Sequence, residues 1–479
     1  MTRALFAVAE LLPIAKIGGL ADVAAALPSA LAGLGVDIRI VVPAYRGARE
    51  KLVDARWIGG FEVQGLPFAI WQGRLPGVGA TVWLAECAPL YARAGGDPYR
   101  DEHGAPWPDN ALRFGAFCEA VARLARDGVE GWRPEVVHCN DWHTGLIPVW
   151  LSLAPQPPRT IFTIHNLAYQ GLYDRAVFDR LGLPASLWTP EGLEFYGRFS
   201  FMKAGLAYAD ALTTVSPTYA REIQAPEHGW GLDGVLRHRA GALRGILNGI
   251  DDAVWNPATD PLLARRYTSA TVGHGKRANK LALQSELGLA ADARIPLLAF
   301  IGRLVWQKGG DLILAVATEL LAHDCQLAVL GTGDRDQEAG FAALAARHRE
   351  RVSVHLAYDE RLAHRIEAGA DVLLMPSRYE PCGLNQMYSQ RYGTVPVARR
   401  VGGLADTVND ATPEALAAGT ATGVLFDRGD PADLANAARR ALALYRNPAL
   451  WRALRRAGMR RDFSWRRAAA EYLALYRAR

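Results

Sequence analysis

The chain reads as an α/β protein of two doubly wound domains, each built on a parallel sheet. Three observations predict this. Short apolar runs of the kind buried parallel strands need alternate with longer helix-like segments nearly throughout. At 479 residues the chain exceeds what one core supports. One local design also occurs twice, around Lys16 and around Lys308: a strand, a loop with a lysine and two adjacent glycines, then a helix.

Residues 4–9 are the first buried strand, and 23–34, rich in Ala and Leu, the first helix, ending near Gly33 or Gly35. Between them lies Lys16-Ile-Gly18-Gly19-Leu-Ala-Asp22. Glycines at such a turn let the backbone approach a ligand, and a helix N-terminus offers N–H groups to an anion. An ordinary βα turn, its glycines serving chain reversal alone, fits the loop equally well. Residues 38–43 are the second strand, and 57–86 read as antiparallel strands inserted at a sheet edge. A helix over 109–127 carries Leu112, Ala116, Phe117, Ala120, Val121 and Leu124 on one face. Strands at 136–138 and 160–164 end in Asp141-Trp142-His143 and His165-Asn166, and another spans 211–215. Ligands collect at the carboxyl ends of parallel strands, so two polar strand ends mark a cleft. Trp142 and Tyr169 suit the face of a sugar there, or else pack in a core.

Near residue 246 the pattern restarts. An irregular stretch runs to about Lys280, and 297–304 is a strong buried strand. It feeds Trp306-Gln-Lys308-Gly309-Gly310-Asp311 and an apolar helix over 312–321, with Asp311 as its N-cap. Strands follow at 327–330 and 371–374, and 465–477 is a helix with Trp465, Ala469, Tyr472, Leu473 and Tyr476 on one face. Gly-Gly-Leu-Ala-Asp occurs at both 18–22 and 402–406.

Composition narrows the function. A net charge of +5 with both signs interspersed favours a small anionic ligand over nucleic acid. Five scattered cysteines without a C-x-x-C pair argue against a disulfide framework or a zinc site and for a reducing, cytoplasmic setting. No apolar run is long enough to span a membrane, and no signal peptide is evident. Of 54 Lys plus Arg only six are Lys, yet 16 and 308, beside the glycine pairs, are among them. A compact ammonium suits a phosphate oxygen as a point charge.

The stretch Met375-Pro-Ser-Arg-Tyr-Glu380-Pro-Cys382-Gly383-Leu384 places a carboxylate and a glycine at a strand-to-helix turn. Taken with Arg303 and Lys308, it suits a sugar attached to a diphosphate, the two cations neutralising the charge on a departing nucleotide diphosphate.

With these motifs in place, the chain resembles the bacterial glycogen synthase and plant starch synthase family over essentially its whole length. The stretches that carry the resemblance are Lys16 to Asp22, His138-Cys-Asn-Asp-Trp-His143, Thr163 to Gly171, Gly192-Leu-Glu-Phe-Tyr-Gly197, Leu247 to Asp251, Gly302-Arg303-Leu304, Gln307-Lys308-Gly309, Ser377 to Leu384 and Arg400 to Asp406. The resemblance implies a GT-B fold: Rossmann-like domains over 1–245 and 246–460 facing a deep central cleft, and a helix over 461–479 crossing back to the first. It implies glucose transfer from ADP-glucose to the non-reducing end of an α-1,4-glucan (glycogen), with retention, releasing ADP and using no metal or cofactor. Lys16, Gly18, Gly19 and Asp22 would reach the donor, Arg303 and Lys308 would clamp the diphosphate, and Tyr358 would stack on adenine. Glu380, Cys382, Gly383 and Leu384 would line the glucose and phosphate pocket, with His165 and Asn248 on the glucose hydroxyls. Asp141, Trp142 and Asn166 would sit where donor and acceptor meet. Glu380, Arg303, Lys308, His165 and Asp141 form the catalytic set. The broader retaining pattern has a second glutamate eight residues after the first; here Tyr388 stands there. An oligomer is compatible with the sequence.

Other readings are a UDP-glucose-dependent enzyme, a glucan-binding protein without activity, an NAD-type dehydrogenase and a phosphorylase. The intact charged set speaks against the second. No strand–G-x-G-x-x-G–helix unit with a following acidic residue supports the third, and no pyridoxal phosphate lysine is evident for the fourth.

Overall fold

Each long apolar run becomes an inner strand of one of two sheets. The computed structural model describes residues 1–94 and 97–478. Met1–Gly249 with Trp465–Arg479 forms one compact unit and Ile250–Ser464 the other, divisions a few residues beyond those read from the sequence.

In the first unit the chain lays down β1 (Arg3–Ala7), β2 (Asp37–Pro43), β3 (Val53–Val63), β4 (Leu66–Arg74), β5 (Thr81–Glu86), β6 (Val136–Asn140) and β7 (Arg159–Ile164). Next come β8 (Leu172–Tyr173), β9 (Glu194–Phe195) and β10 (Arg198–Ser200), a small antiparallel sheet, then β11 (Ala211–Thr214) and β12 (Leu243–Gly245). The main sheet runs β12-β11-β7-β6-β1-β2-β5-β4-β3. In this sheet the β3/β4 and β4/β5 pairs are antiparallel and the other pairs are parallel. The sequence assigns all of 57–86 to an antiparallel insertion, but β5 lies parallel to β2. Its Val82-Trp-Leu-Ala85 run is buried on both faces, which demands an inner position, whereas β3 is largely exposed and takes the edge.

In the second unit β13 (Leu297–Ile301), β14 (Gln326–Leu330), β15 (Val352–His355), β16 (Val372–Met375), β17 (Val395–Arg399) and β18 (Val424–Phe426) form a parallel sheet. Its order is β15-β14-β13-β16-β17-β18. Each sheet thus reverses its direction of growth beside its first strand, at β1/β6 and at β13/β16. A crevice opens at the carboxyl ends of the strands at such a point.

Glycine pairs set where the following helices begin. Gly18 caps the helix Gly19–Gly33 and Gly309 the helix Gly310–Leu321. At Gly309 the φ of +71° and the nearness of the Pro376 carbonyl, 2.3 Å from where a Cβ would lie, leave no room for another residue. Asp311 therefore lies inside the helix rather than capping it, and its carboxylate takes the Arg378 guanidinium through two bonds of 2.8 and 2.6 Å.

The helix Trp465–Arg477 belongs to the first unit. Trp465, Ala469, Tyr472 and Tyr476 pack in one core with Leu20, Leu27 and Leu31 of the helix Gly19–Gly33. A buried polar chain fixes it to the sheet. The Tyr476 hydroxyl is 2.8 Å from His138 Nδ1, His138 Nε2 is 2.6 Å from Thr163 Oγ1, and Thr163 Oγ1 is 2.5 Å from Thr213 Oγ1. Burial drives the His138 pKa down to about 3, so the imidazole is neutral and uses one nitrogen to donate and the other to accept. Among the described residues no helix is long and apolar enough to cross a membrane.

Tyr476→Phe leaves His138 Nδ1 without its partner. It is expected to destabilise the first unit by about 1–3 kcal/mol, read as a lower urea midpoint with an unchanged far-UV spectrum. An unmoved midpoint would mean that the hydroxyl contributes nothing to holding the helix.

Candidate active site

At the first switch point β1 runs into Glu10, which turns back on its own loop. Glu10 Oε2 accepts the N–H groups of Ile17 (2.8 Å) and Gly18 (3.2 Å), and Tyr99 donates its hydroxyl to Oε1 at 2.6 Å. The sequence offers these backbone donors to an anionic ligand; the structure gives two of them to an internal carboxylate. Burial raises the Glu10 pKa. Lys16 Nζ lies 2.9 Å from Asp22 Oδ1 in the first turn of the helix, and a Cβ on Gly18 would meet nothing within 4 Å. Lys16 and Asp22 are both partly exposed, and the glycine leaves the surface beside them open.

Across the switch point β6 ends at Asn140 and Asp141. Asp141 is held at φ +62° and ψ 176°, a region that favours glycine, and such strain gathers at functional sites. Its carboxylate accepts the Trp142 N–H at 2.7 Å, and burial pushes its pKa up to about 7. From the next strand end, His165 Nε2 meets Asn140 Oδ1 at 3.0 Å. Burial holds His165 down to about 3 and His143 well below its ordinary value, so both rings are neutral. Asn166 closes a turn onto the Ala168 N–H (3.1 Å). Trp142 is half-buried. It packs edge-on against Phe114 and Phe201, and a Cβ on Gly171 would lie 2.4 Å from its ring. Asn248 is buried just beyond β12.

At the second switch point the loop after β13 supplies Arg303 and Lys308, and the loop after β16 supplies Glu380 to Leu384. Lys308 Nζ is 2.5 Å from Glu380 Oε2, and Ser377 Oγ donates to the same oxygen at 3.0 Å. Glu380 is buried. The Arg303 guanidinium reaches Gln307 Oε1 at 3.4 Å. Gln386 binds back to the carbonyls of Cys382 (3.0 Å) and Gly383 (2.9 Å), pinning a turn in which Gly383 has φ +69°. Leu384 caps the helix Asn385–Tyr392. Tyr358, beyond the end of β15, is 72% exposed, and its hydroxyl donates to Glu360 at 3.0 Å. Tyr388 is buried in a stack, 3.8 Å from Trp255, whose ring also lies 3.8 Å from His364.

The residues singled out by sequence therefore gather at two places. Lys16, Gly18, Gly19, Asp22, Asp141, His165 and Asn166 lie around one switch point, and Arg303, Lys308, Glu380, Cys382, Gly383 and Leu384 around the other. Sequence reasoning missed the supports. Glu10 and Tyr99 hold the first loop. Gly402 and Gly403 hold the second: a Cβ on Gly402 would fall 1.9 Å from the Glu380 carbonyl oxygen, and one on Gly403 2.1 Å from that of Cys382. The repeat of Gly-Gly-Leu-Ala-Asp was the signal for this pair. Among the described residues no three His, Cys, Asp or Glu side chains group as metal ligands would.

Known proteins resemble the chain on both halves. Residues 3–238 match the family described as starch synthase catalytic domain, and residues 289–457 match glycosyl transferases group 1. Glycogen synthase 1 of Methylococcus capsulatus is 52% identical over 476 residues, covering 99% of this chain and 96% of the relative. Glycogen synthase of Thioalkalivibrio sulfidiphilus is 52% identical over 481 residues, covering 99% of each. Among solved structures, the catalytic domain of starch synthase IV from Arabidopsis thaliana bound to ADP and acarbose superposes with a TM-score of 0.89 at 33% identity, over 99% of this chain and 98% of that one. Sucrose-phosphate synthase from Thermosynechococcus elongatus, with a TM-score of 0.62 at 21% identity over 100% of this chain and 98% of that one, shares the fold.

Two outcomes follow from the geometry. Gly402→Ala is expected to displace the Glu380 turn and lower transferase activity at least tenfold, while circular dichroism stays that of the parent; retained activity would show that the turn tolerates the shift. The second concerns pH. His138, His143 and His165 are neutral in the fold, but the unfolded chain binds protons at them below about 6.5, so their contribution to stability is lost as pH falls below that value. Asp141 has the opposite sign, since the fold retains its proton up to about 7. The three imidazoles outweigh it, and the thermal transition of the first unit should fall between pH 7 and 5.5. It should fall less in His165→Asn; an equal fall would contradict a neutral His165.

Proposed function

From the premise that the chain belongs to the glycogen synthase and starch synthase family of glycosyltransferases, we propose that it transfers glucose from ADP-glucose to the non-reducing end of an α-1,4-glucan, with retention at the anomeric carbon and release of ADP. The observation that carries the reading is the contact of Lys308 with the buried Glu380 at the β13/β16 switch point, with Arg303 on the same loop. Two cations at the carboxyl ends of a Rossmann-ordered sheet suit a nucleotide diphosphate.

On this reading the second unit holds the donor. Arg303 and Lys308 neutralise the charge that builds on the leaving diphosphate, so the transfer needs no metal or cofactor. The exposed ring of Tyr358 stacks on the base, and the turn at Glu380, Cys382, Gly383 and Leu384 receives the glucose and phosphate. Asn248 and the neutral imidazole of His165 suit uncharged hydroxyls, and Lys16 with its glycines approaches the donor. Asp141, with Trp142 and Asn166 beside it, serves the acceptor side.

Retention fits front-face attack, the departing diphosphate taking the acceptor proton. Lys308 and Ser377 both reach Glu380 Oε2, which holds the carboxylate in place as a positioned electrostatic group. Tyr388, in the place of a second glutamate, is committed to its aromatic stack. A covalent intermediate on Glu380 or Asp141 is the weaker course.

Glucose transfer to glycogen from ADP-glucose and UDP-glucose, measured in parallel with EDTA present, tests the reading. Transfer from ADP-glucose is expected. Preference for UDP-glucose would reassign the donor, and transfer from neither would overturn the activity. Lys308→Ala in the same assay should lower kcat by about two to three orders of magnitude with the fold intact; near-parental turnover would remove Lys308 from the mechanism.

A further inference from the structure

Two exposed aromatic residues occupy backbone positions that bulky side chains avoid. Tyr196 and Gly197 form the two-residue loop between β9 and β10, at φ +49° and +76°. Both are positive, the pattern of a type I′ hairpin turn, where Asn, Asp or Gly is the ordinary choice for the first position. Trp230 and Gly231 repeat the arrangement, at φ +52° and +81°, after the short helix Pro226–Gly229. A bulky residue at positive φ is an outlier, and an outlier held in place by its surroundings points to function. Both rings keep surface in water: Tyr196 is 80% exposed, with Phe195 edge-on to it at 4.7 Å, and Trp230 is 45% exposed.

The fold brings the two turns together. A Cβ on Gly231 would lie 3.2 Å from the Phe195 ring and 3.3 Å from that of Tyr196. Gln170 Nε2 donates to the Trp230 carbonyl at 2.9 Å, and the Gly197 N–H bonds to Glu194 Oε1 at 2.5 Å, so both turn backbones are anchored. Gln170 lies on the loop that starts at His165-Asn166. The residue before it, Tyr169, is a third aromatic, 47% exposed, set by the turn that Asn166 closes. The corner is thus continuous in sequence with the polar strand end on the acceptor side.

We propose that Tyr169, Tyr196 and Trp230 form a platform for the acceptor glucan, binding glucose units of the chain beyond the one that receives the new residue. The ligand's identity rests on the transferase reading above. Aromatic rings offer an apolar face and keep a polar edge wet, which matches a pyranose: its C–H face stacks while its hydroxyl rim stays hydrated. The chain bears conformational strain at two turns in order to display rings, where asparagine would relieve it.

That last point separates binding from stability. In Tyr196→Asn and in Tyr196→Asn/Trp230→Asn the turns receive the residue they favour, so the thermal midpoint should hold or rise. Retardation of the protein in native gels containing glycogen, and its affinity for maltoheptaose, should weaken about tenfold, while the KM for ADP-glucose stays in place. Because retardation is read without turnover, the two readings separate. A parent that is retarded but transfers no glucose would overturn the activity and leave the platform standing. Unchanged retardation in the double variant, or a parent that is not retarded, would overturn the platform. So would a loss of thermal stability that accounts for the weaker binding, or a change of oligomeric mass with retardation intact, which would make the corner an interface between copies.

Discussion

The contact between Lys308 and Glu380 ties together the loops that leave β13 and β16. A carboxylate buried this deeply is costly unless a cation and a hydrogen bond accompany it, and removing one partner of such a pair strands the other. The pair therefore constrains both loops at once. Lys308 must stay on the short turn that the left-handed Gly309 closes, and Glu380 must stay on the turn that Gly402 and Gly403 press from behind. Much of the local backbone geometry at that switch point follows from keeping those two charges together.

The first unit uses the same loop design with a different electrostatic outcome. Its carboxylate, Glu10, precedes the glycines and takes the backbone N–H groups of Ile17 and Gly18, and its lysine meets Asp22 in the helix. Charge is self-satisfied there, and what surrounds the switch point is a set of neutral imidazoles and an aspartic acid balanced near neutrality. The second unit sets two cations, Arg303 and Lys308, beside one buried carboxylate, and the first surrounds its switch point with uncharged hydrogen-bonding groups. That division matches a reaction with an ionic donor and a neutral acceptor.

The inner strands, the helix Trp465–Arg477 and the lysine-bearing loops were legible because burial and periodicity act locally on the chain. The places where the sequence misled involve partners far along it. Tyr99 reaches Glu10 only once the sheet has formed, and Asp311 lost its capping role to an arginine on the loop after β16. The parallel pairing of β5 turned on two-faced burial, which three short runs in succession do not announce. Trp142 showed the limit most clearly, since an aromatic beside a polar strand end reads the same whether it faces a ligand or Phe114 and Phe201. Motif order carried the family, and folding supplied the supports.

The buried chain from Tyr476 through His138 to Thr213 joins residues on either side of the entire second unit. During translation β6, β7 and β11 leave the ribosome first, yet the surface they present to the helix Trp465–Arg477 stays uncovered while Ile250–Ser464 is being made. The domain begun earlier is the one completed later. For that interval a buried histidine and a strip of apolar surface are open to water, and the nascent chain depends on its second domain folding promptly to deliver the cover.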